Sequence, residues 1–330
     1  MTSLPAALTI DDLHRAYADG MTAAEAMEEV FRRIRAVDDP GIFIHLPEMA
    51  SVLAAAEALG PFDPVAKPLW GIPCAVKDNI DVAGMPTTAA CPAFEYMPDE
   101  DAQAVRRLRD AGAIVIGKAN LDQFATGLVG TRTPYPIPRN SLDPDLVPGG
   151  SSSGSAAAVA QGIVPFALGT DTAGSGRVPA GLNSLVGWKP SLGALSTRGV
   201  VPACRTLDCV SVFAHSIADA KRVFDAARAF DAKDAYSRPW AGEGQAPWNG
   251  AAPRIGVPAA QDRKFFGDGA AQASYEVTLA DLKERGVEIV EVPFQPFYDI
   301  ALLLYEGPWV AERYAAIDAF IETNEADLHP

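Results

Sequence analysis

The first part of the chain carries apolar residues at the spacing of amphipathic helices. One helix is predicted over residues 9–20, where Gly20 supplies the stop signal. A second is predicted over residues 26–37, because Thr22 and Glu25 form the sequence signature of a capping box. A third, rich in alanine and leucine, is predicted over residues 47–59.

Short apolar runs then alternate with helical segments, a pattern typical of an α/β sheet with partly parallel strands. The predicted strands span residues 69–76, 113–116, 164–168, 210–214, 254–257 and 288–292. The predicted helices between and after them span residues 101–110, 155–161, 217–230, 270–285 and the helix-rich stretch 300–321. Lys77 and Lys118 lie just beyond the first two strands, and the polar stretch 237–252 is predicted to be a surface loop.

Charge and cysteine content narrow the classes of partner. Asp and Glu number 42 against 27 Lys and Arg, so the 330-residue chain has a net charge of −15 at pH 7. Such a surface repels nucleic acid and anionic membranes, and an anionic substrate must be bound by locally placed cations. No signal peptide or 18-residue apolar run is visible, so a cytoplasmic location is expected. The four cysteines are irregularly spaced, which predicts free thiols and no metal site. No cofactor is expected.

Two loops rich in glycine and serine, residues 148–155 and 169–177, stand out against this background. Loops of small residues allow backbone N–H groups to approach a ligand, so a phosphate cradle is one interpretation. However, neither a GxxxxGK[ST] motif nor a GxGxxG motif after a strand is present.

A second interpretation is a serine hydrolase, because residues 150–154 match GxSxG with Ser152 as the nucleophile. That arrangement requires a downstream histidine, and only His215 and His329 are available. A third interpretation uses Lys77, at the end of an apolar strand, as the base. A lysine base must be neutral at the working pH, which requires burial to lower its pKa by about three units. The residues alone leave these interpretations open.

The motifs resemble those of the amidase signature family. The stretch 71–79 resembles the lysine motif of the family, and the stretches 149–158 and 168–175 resemble its Gly/Ser-rich signature. Ser151 and Ser175 have the spacing that the family pattern requires. The resemblance implies an α/β amidase signature fold, in which α-helices cover both faces of a mixed central β-sheet.

The resemblance also implies a Ser–cis-Ser–Lys triad. Ser175 would be the nucleophile, Ser151 would relay its proton from a cis peptide bond, and Lys77 would be the base. Ser152 would support this network by hydrogen bonding. The oxyanion hole would be formed by consecutive backbone N–H groups, those of Thr172, Ala173, Gly174 and Ser175. Many members of the family have glycine where this chain has Ala173. Alanine has the same backbone N–H group, so this difference keeps the donor.

Within the family, residues 121–131, 171–180 and 196–204 are most similar to allophanate hydrolases. The implied reaction releases ammonia from the terminal carboxamide of allophanate (urea-1-carboxylate), a small anionic amide. Tyr305 and Arg313, eight positions apart and so predicted to share one helical face, resemble the pair that binds the substrate carboxylate. The backbone at Gly127 is a further candidate for substrate contact.

Residues 1–330 are expected to form one amidase domain, incomplete at its C-terminus, and a homodimer is possible. Alternative functions are a broader-specificity amidase and the amidase subunit of an amidotransferase. From another class, an inactive truncated interaction module is a further alternative.

Overall fold

A mixed six-stranded sheet organises the larger part of the chain in a computed structural model that describes residues 4–239 and 253–330. Its strands are β1 (Phe43–His45), β2 (Pro73–Lys77), β3 (Ile114–Ala119), β4 (Phe166–Thr170), β5 (Val186–Trp188) and β6 (Val210–Ala214). Their order across the sheet is β1-β3-β2-β4-β6-β5. β2 runs parallel to both β3 and β4, and the other neighbours are antiparallel.

The four inner strands are buried along their whole length, which explains why each reads as a short apolar run. The predicted strand over 210–214 is confirmed at both ends, and those near 164–168 and 113–116 are confirmed with shifted bounds. The predicted strand over 69–76 begins only at Pro73, because 69–72 form turns. β3 continues to Ala119, so Lys118 lies inside the strand, not beyond it as predicted.

Ten α-helices accompany the strands in the described ranges. They are α1 (Ile10–Ala18), α2 (Ala23–Val37), α3 (Met49–Glu57), α4 (Gln103–Asp110), α5 (Ser153–Ala160), α6 (Arg177–Leu182), α7 (Ile217–Ala227), α8 (Gly269–Glu284), α9 (Gln295–Glu306) and α10 (Pro308–Asn324). Helices cover both faces of the central sheet, as expected. The capping box predicted for Thr22 and Glu25 is confirmed at the start of α2, and Thr9 caps α1 in the same way.

The chain divides into two compact units, Met1–Trp240 with Glu312–Pro330, and Ala241–Ala311. Within the second unit, β7 (Arg254–Pro258) and β8 (Glu288–Val292) pair in parallel, with α8 as the connection between them. A parallel pair needs such a crossover, and this βαβ arrangement confirms the prediction for residues 254–292.

Three further expectations concern a surface loop, membrane-spanning segments and the thiols. Of the loop predicted over 237–252, residues 240–252 lie outside the described part of the chain. No helix in the described ranges is long and apolar enough to cross a membrane. All four cysteines are free and buried, as predicted for thiols that form no disulfide.

Candidate active site

Lys77 ends β2 at the centre of the sheet, and its side chain is completely buried. Its Nζ lies 2.7 Å from Ser151 Oγ and 2.7 Å from Thr170 Oγ1. Burial lowers the pKa of Lys77 from 10.5 to about 7, although the carboxylates of Asp122, Asp171 and Asp208 act in the opposite direction. The ammonium form loses its hydration there and gains hydroxyl partners in place of an adjacent carboxylate, so the neutral amine is favoured.

The first Gly/Ser-rich loop brings Ser151 to Lys77 just before α5 begins. The Gly150–Ser151 peptide bond is cis, as the resemblance implies. Ser152 is completely buried, and its Oγ donates to the Thr170 carbonyl at 3.1 Å. The backbone N–H of Ser152 in turn donates to the Ser175 carbonyl at 3.4 Å. Ser152 therefore joins the loop that carries Ser151 to the segment that carries Ser175.

Ser175 lies in the turn between β4 and α6, close to the loop of Gly127. Its Oγ donates to the Gly127 carbonyl at 3.4 Å. Within the described residues no hydrogen bond joins the hydroxyls of Ser175 and Ser151. The geometry therefore forms the Lys77–Ser151 link of the expected relay and leaves Ser175 turned toward Gly127.

Backbone N–H groups of the second Gly/Ser-rich loop bind a carboxylate of the loop itself, so the loop does not form an open anion-binding site. Asp171 accepts backbone N–H groups from Gly174 at 2.8 Å, Gly176 at 3.1 Å and Arg177 at 3.2 Å. The Arg177 guanidinium adds two bonds of 2.9 Å. Burial acts to raise the pKa of Asp171, but these donors outweigh it and the pKa is lowered. The phosphate-cradle interpretation is therefore wrong for this loop.

The same loop limits the expected oxyanion donors. The Gly174 N–H is used by Asp171, which leaves Thr172, Ala173 and Ser175 as the candidate donors. Alanine is tolerated at position 173, because the positive φ of the turn, +138°, falls on Gly174. The hydroxyl of Thr172 bonds to Asp208, whose other donors are the backbone N–H groups of residues 203 and 204.

The histidine-based alternative finds no support in the geometry. Among the described residues, the Ser152 hydroxyl bonds only to backbone groups, and its burial makes it inaccessible to a substrate. His215 directly follows β6, and its buried Nε2 has no hydrogen-bond partner in the described part of the chain. His329 Nδ1 lies 3.1 Å from the carbonyl of Pro330. Neither histidine contacts a serine hydroxyl within the described ranges.

The prediction that Tyr305 and Arg313 share one helical face is wrong. Tyr305 lies near the end of α9, and Arg313 lies on α10. Gly307 has an extended backbone and separates the two helices, and Pro308 opens the second one. Proline cannot continue a helix but fits its first turn, which explains the break. Glu312, beside Arg313, accepts two 2.8 Å bonds from Thr206.

Sequence reasoning missed two groups of this site. Thr170 supplies the second hydroxyl at Lys77 Nζ, and it is the last residue of β4. Asp122 is completely buried and accepts the backbone N–H groups of Gly130 at 3.0 Å and Arg132 at 2.8 Å. The available signal was the position of each polar residue, Thr170 at the end of β4 and Asp122 three residues after the end of β3.

Comparison with known proteins identifies the family of the chain. The amidase family profile matches residues 25–328, and the chain belongs to that family. It is 52% identical over 266 residues to the urea amidolyase of Lachancea kluyveri. It is 35% identical over 290 residues to the indoleacetamide hydrolase of Pseudomonas syringae. The solved allophanate hydrolase of Kluyveromyces lactis is 44% identical and superposes with a TM-score of 0.89.

These proteins differ greatly in how much of their length the chain spans. The match to the L. kluyveri protein covers 80% of this chain and 14% of that protein. The match to the K. lactis structure covers 97% of this chain and 53% of the other, and the match to the P. syringae hydrolase covers 86% and 60%. The fold and the family are therefore shared along almost the whole chain, which corresponds to about half of the allophanate hydrolase.

Proposed function

We propose that residues 1–330 form the amidase domain of an enzyme that hydrolyses allophanate and releases ammonia from its terminal carboxamide. The observation that carries the proposal is the 2.7 Å contact between the buried Lys77 Nζ and Ser151 Oγ, beside the loop of Ser175. The high identity to a urea amidolyase and to an allophanate hydrolase supports this choice of substrate.

In the proposed mechanism, neutral Lys77 accepts the proton of Ser151 as Ser151 accepts that of Ser175. The Ser175 oxygen attacks the carboxamide carbon, and backbone N–H groups of Thr172, Ala173 and Ser175 stabilise the oxyanion. The C–N bond breaks when the proton returns through Ser151 to the nitrogen, which leaves as ammonia. Water then hydrolyses the acyl-enzyme by the same relay in reverse and releases N-carboxycarbamate.

The substrate carboxylate requires a cation, because the net charge of −15 provides no general attraction. We propose that Arg313 supplies it. The Gly127 carbonyl, which accepts from Ser175 at 3.4 Å, would in the substrate complex accept an N–H of the substrate carboxamide. Ser175 would then turn to Ser151, which completes the relay.

Ammonia release from allophanate, malonamate, glutamine and a simple fatty amide tests the proposal. We expect the highest kcat/KM with allophanate, and no release with Ser175→Ala or Lys77→Ala. His215→Ala is the matched control and should retain activity. Preferred turnover of glutamine would instead favour a role in an amidotransferase, and a folded chain inert toward all four would favour an interaction module. A large loss in His215→Ala would contradict the lysine mechanism.

A further inference from the structure

The loop between residues 122 and 132 joins both serine-bearing segments of the site. The backbone N–H of Asp122, where the loop begins, donates to the Ser151 carbonyl at 3.0 Å. Farther along, the Leu128 carbonyl accepts from Gly150 at 2.9 Å. The Gly127 carbonyl between these points receives the Ser175 hydroxyl. The path of this loop therefore fixes where the nucleophile and the relay serine meet.

The carboxylate of Asp122 is the internal support of that loop. One oxygen accepts the Gly130 N–H at 3.0 Å, and the other accepts the Arg132 N–H at 2.8 Å. The side chain is fully buried and forms no ion pair within the described residues. A buried carboxylate that gathers backbone N–H groups holds the loop strongly, because hydrogen bonds to a charged acceptor are stronger than neutral ones.

Glycines make room for this carboxylate. A Cβ on Gly127 would lie 2.5 Å from Asp122 Oδ2, and one on Gly150 would lie 2.1 Å from it. Side chains at either position would displace the carboxylate or the loop. The absence of side chains there thus allows the backbone on both sides of the site to close around Asp122.

Asp122 also contributes charge at the base. Three carboxylates, those of Asp122, Asp171 and Asp208, stabilise the ammonium form of Lys77 against its burial. Asp171 is paired with the Arg177 guanidinium, and Asp208 bonds to Thr172. Next to Lys77 along the sheet, Asp78 and Lys118 lie 3.0 Å apart as an ion pair.

We propose that Asp122 is a positioning residue for amide hydrolysis, one that holds the Gly127 carbonyl and Ser151 at Ser175 and places a negative charge near Lys77. The inference rests on the proposed function. It has two separable consequences: the geometry of the loop controls kcat, and the charge controls the pH at which the base becomes active.

Three substitutions separate these consequences. Asp122→Asn keeps the size, removes the charge and turns one acceptor into a donor that faces an N–H. We expect kcat to fall about 10- to 100-fold and the acid limb of the pH profile to move to lower pH, because the ammonium form of Lys77 loses a stabilising charge. Asp122→Glu and Gly127→Ala disturb the loop with the charge retained, so kcat should fall while the limb stays in place. Exposed Asp145→Asn is the matched control and should change neither.

The rate at which a fluorophosphonate labels Ser175, measured against pH, provides a second readout that needs no amide substrate. If the wild-type chain hydrolyses no amide, the proposed function fails and labelling alone tests Asp122. Wild-type kcat, or a wild-type labelling rate, in Asp122→Asn would overturn the inference. A slower Asp122→Asn variant whose acid limb coincides with that of the wild type would also overturn it. If Asp122→Asn does not fold, as judged by circular dichroism, unchanged kcat in Gly127→Ala would overturn it.

Discussion

The pH dependence of turnover is expected to follow the ionisation of Lys77, because only the neutral amine accepts a proton. Burial lowers the pKa of this lysine from 10.5 to about 7. The neutral fraction therefore rises from about one tenth at pH 6 to about nine tenths at pH 8. A lysine that kept the ordinary pKa would be only about 0.3% neutral at pH 8, so burial raises the fraction of neutral amine at that pH roughly 300-fold.

The free energy behind this effect is large and has an identifiable source. A fall in the pKa from 10.5 to about 7 corresponds to about 5 kcal/mol of differential destabilisation of the charged form. The side chain has no exposed surface, and in the described part of the chain its Nζ has hydroxyl partners and no ion-pair partner. Hydroxyl groups solvate an ammonium less well than water does, so they and the three more distant carboxylates offset the desolvation only in part.

The assay is kcat/KM for ammonia release between pH 5.5 and 9.5 at constant ionic strength. Activity should rise through a midpoint near 7 and reach a plateau by pH 8.5. Labelling of Ser175 by the fluorophosphonate is the control for ionisation of the substrate, and its rate should rise over the same range. A profile that climbs without a plateau up to pH 9.5 in both measurements would refute the proposal that burial makes Lys77 a neutral base.

Two further substitutions probe the partners of the base and of the substrate. Thr170→Val removes one hydroxyl from Lys77 Nζ, and kcat is expected to fall about fivefold, as for the loss of one buried hydrogen bond. Thr170→Ser keeps the hydroxyl and should restore most of the rate, so equal losses in the two variants would contradict this role. Arg313→Ala should raise KM for allophanate at least about tenfold and leave KM for a neutral amide within about twofold, since only the anion needs the guanidinium. Equal changes for both substrates would show that Arg313 does not recognise the carboxylate.

The buried strands could be predicted from the sequence because their signal is local. Residues 210–214 form an uninterrupted apolar run, and β6 has those bounds. The three-residue strands β1 and β5 escaped prediction, because so short a strand is defined by the neighbour that it pairs with. Gly307 and Pro308 mark a helix break in the sequence, whereas the eight-residue spacing of Tyr305 and Arg313 alone predicts one continuous helix.

The candidate site was predictable only where a motif carries it. Ser151, Ser175 and Lys77 were found through the resemblance, and the distance from Lys77 to Ser151 agrees with it. Asp122 could not be recognised as a support of the loop, because its partners are backbone N–H groups. Residue types in a sequence do not show which backbone N–H groups a side chain will contact. Long-range contacts of that kind depend on the completed fold.

Two buried lysines on the neighbouring strands β2 and β3 show why burial alone is not sufficient for the proposed role of a base. Lys118 is as inaccessible as Lys77, and burial lowers its pKa as well. Its Nζ, however, lies 3.0 Å from the Asp78 carboxylate and also bonds to the hydroxyl of Thr87. A carboxylate at that distance holds the proton on the amine, and the pair remains a structural ion pair. Lys77 contacts two hydroxyls instead, with its carboxylates beyond ion-pair distance, so the chemistry of the base is decided by the partners that the fold brings to each lysine.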